Sequence, residues 1–254
     1  MHCVNKFIWL FLPTRQLFWL CQVWNVHPKT VSKSSKYSKG SCFCLLHVRP
    51  WTSDLVFDLR NSSITIASGN PNKVAEIKAM LGPLPIEVKK QPSSLDVEET
   101  GKTYLENAIL KAKAAAAITN SLTIADDSGL EIDSLGNAPG IFSARLADTN
   151  EKKIEKILTA LGDSPYRSAK VCSVMVLCNK HGEIIKNTKG ICWGEILKKP
   201  AYPNGEFESL FWVRETNCTY GELSNSQLSK LGSRGKAARE LAPFLLKAIG
   251  MQAN

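Results

Sequence analysis

Two adjacent aspartates are the residues whose types and spacing best suit catalysis in this sequence. Asp126 and Asp127 follow the apolar run SLTIA within the stretch IADDSGLEID. Because successive residues of a strand point to opposite faces, the two carboxylates are expected to serve different purposes. One would face a cleft, where a hard cation such as Mg²⁺ takes carboxylate and phosphate oxygens, and the other would hold backbone amides or a lysine. Capping of the following turn by both acids is an alternative that spacing alone leaves open.

The regular part of the sequence offers no obvious histidine base. Three of the four histidines lie at positions 2, 27 and 47, in an irregular amino-terminal segment, and His181 falls in a predicted hairpin turn. A Ser-His-Asp or Cys-His mechanism would need such a base. Acid–base chemistry must therefore come from carboxylates, lysines or a bound metal.

A second group of candidate residues precedes two predicted helices. The connector SGNPNK, residues 68–73, links a strand to a helix, so its backbone N–H groups favour an anion and Lys73 adds a cation. It lacks the G-x-x-x-x-G-K-[ST] spacing of a P-loop. In VEETGKT, Glu98 and Glu99 precede a long helix, where acids also favour the helix dipole. On that helix Lys111 is placed to reach a phosphate.

These candidates depend on strands and helices that begin near Ile64. Apolar periodicity and capping signals predict strands at 63–67, 85–89, 121–125 and 168–178, and helices at 73–81, 103–118, 150–162 and 235–250. The acid pair then lies at the carboxyl end of the third strand, where ligands gather in open α/β sheets, and Ser128-Gly129 turns the chain. The pattern predicts an α/β fold with a mixed sheet in a single domain over residues 62–254.

The positive charge is concentrated at the amino terminus. The net charge is +9, but residues 1–53 hold seven Lys or Arg and no acid, while the remaining residues carry 25 basic and 23 acidic side chains. The main part of the chain is therefore nearly neutral. This argues against a nucleic-acid-binding core, which would need a basic face.

Residues 1–61 are interpreted as a basic extension outside the domain, of which residues 1–53 contain no acid. The apolar run 7–20 is interrupted by Pro13 and Arg15 and is too short to span a bilayer, so no membrane partner is expected. The absence of acids also suits an organellar transit peptide, and an upstream extension or a misassigned start is the alternative. The cytoplasm is the expected location, or an organelle if the extension is a transit sequence.

Four motifs together resemble the inosine/xanthosine triphosphate pyrophosphatase family. They are SGNPNK, EETGKTYLENAILKAKAAA, IADDSGLEIDSLGNAPGIFSAR and SRGKAAREL, and the similarity runs from about Ile64 to Phe244. The resemblance implies hydrolysis of non-standard purine nucleoside triphosphates such as ITP, dITP and XTP to the monophosphate and pyrophosphate, with Mg²⁺. It also implies an elongated mixed sheet with flanking helices, two lobes around a central cleft, and a homodimer.

The resemblance also implies the roles of particular residues. Glu98 and Asp127 would bind the metal, with Asp127 activating the attacking water, and Lys111 would support the phosphates. Residues expected to bind the substrate are Ser68, Gly69, Asn70, Lys73 and Ser128 on the phosphate side, and Phe207, Glu208, Ser233 and Arg234 on the base side.

Departures from the family pattern concentrate in the residues expected to read the base. In NGEFESLF, Phe207 stands where the family has tyrosine, Glu208 where it has aspartate and Gly205 where it has phenylalanine. Ser233 replaces a histidine and Leu228 a lysine. One lost hydrogen bond to a buried base costs ~1–3 kcal/mol, which relaxes specificity by roughly ten- to a hundredfold. The alternative function is therefore a divergent nucleotide-binding homologue with weak activity or altered base specificity.

Overall fold

A computed structural model describes residues 63–251 of the chain. The described residues form six strands and five α-helices, with four short 3₁₀ segments in the connections after β3 and around β6. The strands are β1 (Ser63–Ala67), β2 (Glu87–Lys90), β3 (Leu122–Ile132), β4 (Ser168–Cys178), β5 (Ile184–Ile196) and β6 (Phe211–Val213). The helices are α1 (Pro71–Leu81), α2 (Tyr104–Thr119), α3 (Asn150–Leu161), α4 (Asn225–Leu231) and α5 (Ser233–Ala248). The interpretation of residues 1–61 as an extension lies outside the described residues.

The strands form one mixed sheet in the order β2-β1-β3-β4-β5-β6. Strand β1 runs parallel to β2 and to β3, whereas β3, β4, β5 and β6 pair antiparallel with their neighbours. The two helical crossovers that join the parallel strands are α1 and α2. The prediction of an α/β fold with a mixed sheet and flanking helices is therefore confirmed.

The helices cover the two faces of the sheet with different side chains. On one face, Ile64, Ile66 and Ile124 pack against the apolar residues of α1 and α5. On the other, Ala67 and Ala125 pack against the buried alanines of α2, whose small side chains let the helix lie close to the strands. A separate core at the far end of the sheet joins α3 to β5 and β6. The sheet therefore packs against helices on both faces and has a further core at its β5–β6 end.

The third strand continues well beyond the predicted end. The expected stop at residue 125 and turn at Ser128-Gly129 were wrong, because β4 pairs with β3 along its whole length and Asp127 lies opposite Val174. Its other neighbour, β1, stops opposite Ala125. The acid pair therefore lies inside a strand, at the position where β1 ends and leaves that side of β3 open.

In the described part of the chain, no helix is both long enough and apolar enough to cross a membrane. The longest helices, α2 and α5, have 16 residues each and carry charged side chains.

Candidate active site

The two adjacent aspartates contact different helices on opposite faces of β3. Asp126 Oδ2 lies 3.4 Å from Lys73 Nζ of α1 and 3.2 Å from Arg234 Nη2 of α5. Asp127 instead accepts hydrogen bonds from two side chains of α2, at 2.9 Å from Lys111 Nζ and 3.3 Å from Asn107 Nδ2. The prediction that the strand separates the two carboxylates is confirmed, but each of them holds a lysine, so a lysine partner does not distinguish a supporting acid from a catalytic one.

Asp126 is a buried acid that stays ionised. Its side chain has no solvent exposure, and burial alone would raise its pKa. The attraction of Arg234, Lys73 and Lys111 outweighs this effect and holds the pKa of Asp126 at about 2. Asp126 Oδ1 has no hydrogen-bond partner among the described residues. Asp126 therefore provides a fixed negative charge that orients the cations around it.

Arg234 connects helices α1 and α5 to the strand. It donates hydrogen bonds to Asp126 at 3.2 Å, to Ser128 Oγ at 3.0 Å and to Glu76. Burial alone would lower the pKa of Arg234, but the carboxylates of Asp126 and Glu76 raise it. Glu76 was missed in the sequence, although it lies three residues after Lys73 and so on the same side of α1.

Lys111 lies between two carboxylates on the other face of the strand. Its Nζ is 2.9 Å from Asp127 Oδ1 and 3.0 Å from Glu99 Oε1. Burial opposes the charge on Lys111, but the two acids outweigh it and raise the lysine pKa. Burial raises the pKa of Asp127 above its ordinary value, while Lys111 opposes that shift. The arrangement makes Asp127 a stronger base than an exposed carboxylate.

Glu99 faces this lysine, whereas Glu98 is exposed to solvent. Arg145 holds Glu99 from the other side, with Nη2 at 3.0 Å from Oε2. The sequence analysis chose Glu98 as the partner of Asp127. Of the two adjacent acids, the structure brings Glu99 to the Lys111–Asp127 pair, and spacing alone contained no signal that distinguished them.

The connector before α1 is shaped by Asn70. Its side-chain Oδ1 accepts hydrogen bonds from the backbone N–H groups of Asn72 at 2.9 Å and Lys73 at 3.3 Å, which caps the helix. Ser68 Oγ accepts a hydrogen bond from the backbone N–H of Asn70. The exposed Gly69 and the half-buried Lys73 therefore lie at a helix start that faces the end of β1 and Asp126.

A cleft of about 640 Å³ lies on the Asp126 face of the sheet. Seven of the nine predicted substrate-binding residues line it: Asn70, Lys73, Ser128, Phe207, Glu208, Ser233 and Arg234. The lining does not include Ser68 or Gly69, nor the predicted metal and catalytic residues Glu98, Lys111 and Asp127. The cleft thus joins the phosphate and base halves of the predicted site. Asp127 lies outside its lining, but the cleft residue Lys73 is close enough to oppose the rise in the pKa of Asp127.

Two of the base-side residues are engaged within the protein. Glu208 Oε1 accepts a hydrogen bond from the backbone N–H of Glu206 at 2.9 Å. The hydroxyl of Ser233, which is buried, pairs with Ser173 Oγ at 2.8 Å. The Ser233 hydroxyl is therefore engaged within the protein, and one of the two carboxylate oxygens of Glu208 is engaged as well.

Gly205 leaves no room for the aromatic residue of the family pattern. A Cβ added there would lie 2.7 Å from Ser209 Oγ and 2.8 Å from a ring carbon of Tyr202. Tyr220, which the sequence analysis did not select, does line the cleft, and burial together with Glu76 raises its pKa to about 12.

The chemistry of the donor atoms fits a hard divalent cation. Within residues 63–251, no group of three or more His, Cys, Asp or Glu side chains is close enough to hold a metal. However, Glu99 and Asp127 each direct one carboxylate oxygen at the same ammonium nitrogen. Two carboxylates that already surround a positive charge suit Mg²⁺, which binds one or two acids and keeps waters and phosphate oxygens for the rest.

Comparisons with known proteins agree with the motifs. Residues 64–244 match the model of the Ham1 family. A dITP/XTP pyrophosphatase of Synechocystis sp. is 40% identical over 180 residues, which cover 70% of this chain and 93% of that protein. Another dITP/XTP pyrophosphatase, from Synechococcus sp., is 36% identical over 192 residues, or 75% of this chain and 93% of its own.

Solved structures show the same fold. A HAM1 protein from Coxiella burnetii matches with a TM-score of 0.66 and 36% identity, covering 73% of this chain and 99% of its own. The Ham1 protein of Staphylococcus aureus matches with a TM-score of 0.65 and 37% identity, covering 74% and 100%. Because the family model covers well over half of the chain and these relatives match along nearly their whole length, the resemblance seen in the motifs is confirmed and the chain belongs to the Ham1 family.

Proposed function

We propose that this protein hydrolyses non-standard purine nucleoside triphosphates, namely ITP, dITP and XTP, to the monophosphate and pyrophosphate, and so cleanses the nucleotide pool. Membership of the Ham1 family and the dITP/XTP pyrophosphatase relatives support the reaction class. The observation that carries the proposal is the division of the acid pair, with Asp126 holding the cations of the cleft and Asp127 set beside Lys111 and Glu99.

The triphosphate would lie at the start of α1. Ser68, Gly69 and Asn70 form the connector there, and Lys73 contributes the positive charge that phosphates require. Asp126 is buried and contacts both Lys73 and Arg234, and these two cations line the cleft. Their positions are therefore fixed before substrate binds. A preorganised charge of this kind binds an anion without the cost of moving side chains.

Asp127 would hold a magnesium ion together with Glu99, because these acids share one cation in the structure and Glu98 does not. Magnesium, when bound, neutralises phosphate charge and lowers the pKa of a bound water. We also assign Asp127 the role of accepting a proton from the attacking water, because it is a carboxylate at the proposed metal position. Lys111, released from the two acids, would support the phosphates.

A second candidate is a nucleotide-binding homologue with weak activity or altered base specificity. The engagement of Glu208 and Ser233 within the protein favours it, as does the close packing around Gly205. These features concern only the base side of the cleft and leave the phosphate side unchanged. The two candidates therefore differ in base preference and rate, not in the bond that is broken.

A substrate panel separates these candidates. The full chain would be incubated with Mg²⁺ and ITP, dITP, XTP, ATP, GTP or CTP, and pyrophosphate and orthophosphate would be measured separately. Pyrophosphate from ITP and XTP at a rate well above that from ATP is the expected result. Orthophosphate as the product would contradict the proposed reaction, and nucleotide-dependent thermal stabilisation without product would favour the binding homologue.

We further propose a homodimer, a cytoplasmic location and a catalytic domain of residues 62–254 that binds neither nucleic acid nor membrane. Family membership supports the domain, since the matched region begins at residue 64. Light scattering during size exclusion would measure the mass in solution. Fractionation of cells that express the full chain, compared with a version lacking residues 1–61, would test the location and the transit alternative.

A further inference from the structure

The position between Glu99 and Asp127 is built to hold a positive charge. Lys111 Nζ lies 3.0 Å from Glu99 Oε1 and 2.9 Å from Asp127 Oδ1. The second oxygen of each acid has a different partner, since Asn107 donates to Asp127 Oδ2 at 3.3 Å and Arg145 lies 3.0 Å from Glu99 Oε2. The two remaining oxygens are therefore directed at one point, where the ammonium lies.

A divalent cation that binds both acids needs this same point. Both oxygens lie within 3.0 Å of the ammonium nitrogen, so they are no more than about 6 Å apart. Only 13% of the lysine side chain is exposed, and like charges this close repel strongly when little water screens them. The ammonium must therefore leave before the metal can bind both carboxylates. Its four-carbon stem allows that movement without a change in α2.

We infer that Lys111 competes with the metal for Glu99 and Asp127, and that a polyphosphate favours the metal by offering the lysine another set of negative charges. This inference rests on the proposed function, because it takes the magnesium ion and the triphosphate from it. It assigns Lys111 a second role, as the internal counterion that keeps the two acids paired until substrate draws it away. Metal binding without nucleotide should then be weak, because the Lys111 ammonium occupies the position between Glu99 and Asp127.

The test measures metal binding to the full chain without nucleotide, with Mn²⁺ as the probe and electron paramagnetic resonance as the readout of free Mn²⁺. Lys111→Met removes the charge but keeps the length of the side chain, so we expect the Kd for Mn²⁺ to fall at least tenfold. Lys111→Arg keeps the charge and should bind Mn²⁺ within about twofold of the wild type. Lys113→Met is the matched control on the same helix, outside these contacts, and should bind like the wild type.

Thermal melting checks folding and adds a second readout. Without metal, Lys111→Met should melt below the wild type, because Glu99 and Asp127 then repel each other, and Mn²⁺ should restore its Tm. Lys111→Gln, a neutral polar variant, should behave in the same way if the methionine variant folds poorly. Unchanged or weaker Mn²⁺ binding by both neutral variants would overturn the competition. The proposed function fails separately, if the wild type releases no pyrophosphate from ITP or XTP.

Discussion

Asp126 and Asp127 are neighbours in one strand, and their surroundings can be compared group by group. Asp126 has two cations from two helices, Lys73 and Arg234, and no solvent exposure. Asp127 has one cation, Lys111, which it shares with a second acid, and its side chain is 7% exposed. The pKa of Asp126 falls to about 2 and that of Asp127 rises. Two acids that would repel each other in one site are thus separated by the alternation of the strand and acquire opposite properties.

This difference gives each acid its own measurable effect. Replacement of Asp126 should act mainly on stability, because it holds together helices α1 and α5 and strand β3. Replacement of Asp127 should act mainly on turnover.

Asp127→Asn should lower kcat by ~10³-fold, because it removes the proton acceptor and one proposed metal ligand at once. Its stability should change little, since asparagine can still accept a hydrogen bond from Lys111. Pyrophosphate release measures the first effect and urea unfolding the second. Loss of folding together with activity would contradict the division of roles.

Asp126→Asn should lower the free energy of unfolding by about 3 kcal/mol, because Lys73 and the buried Arg234 lose a charged partner. Urea denaturation at neutral pH measures this change. Ser128→Ala is a milder companion variant, because it removes a neutral hydroxyl that contacts Arg234 and Asp126 and leaves both charges in place. Equal stability losses for Asp126→Asn and Asp127→Asn would remove the basis of the comparison.

Acid should destabilise the protein through Asp126. Its folded pKa of about 2 lies below the ordinary value of 3.8, so ionised Asp126 stabilises the fold above pH 4, and this contribution is lost as the pH falls toward 2. The difference amounts to about 2 kcal/mol. Asp127 has the opposite effect on stability. Its pKa is raised in the folded protein, so the folded protein binds this proton more tightly than the unfolded chain does and gains stability as the pH falls.

The contribution of Asp126 can be isolated by measuring the free energy of unfolding of the wild type and of Asp126→Asn between pH 5 and pH 2. The stability gap between the two proteins should narrow as the pH falls. A gap that stays constant over this range would show that Asp126 is not the group that titrates.

Glu99→Gln should weaken Mn²⁺ binding about tenfold or more, and Glu98→Gln should leave it within about twofold. Glu99 faces Lys111 and Arg145, whereas Glu98 is exposed. The two variants lie at adjacent positions, and each removes one negative charge. Each is therefore a control for the other. A larger effect at Glu98 would return the metal site to the residue chosen from the sequence.

Local chemistry predicted much of the site. The alternation of a strand was enough to expect different partners for Asp126 and Asp127, and the structure confirms it. The capping residues Asn70 and Thr103 begin α1 and α2 close to where the sequence analysis placed them. These features depend on residues that are near one another in the chain, so spacing is sufficient to find them.

Other parts of the site depend on pairing between distant segments. The end of β3 could not be predicted, because it is set by its long pairing with β4 rather than by the turn-forming residues Ser128 and Gly129. The choice between Glu98 and Glu99 is decided by Arg145, which lies 46 residues further along the chain. Tyr220 enters the cleft for the same kind of reason, whereas the position of Glu76 on the Lys73 side of α1 was available from spacing.

Motifs and the period of a strand are local properties, so the family, the mixed α/β fold and the opposite orientation of the two aspartates could be predicted from the sequence. Tertiary packing was needed to establish which helices each aspartate contacts, which glutamate lies beside Asp127 and that Lys111 lies between these two acids. Those answers depend on distances between α2, the segment around Glu99 and the turn that carries Arg145. Such distances arise when the sheet forms and packs against its helices, and no spacing along the chain records them.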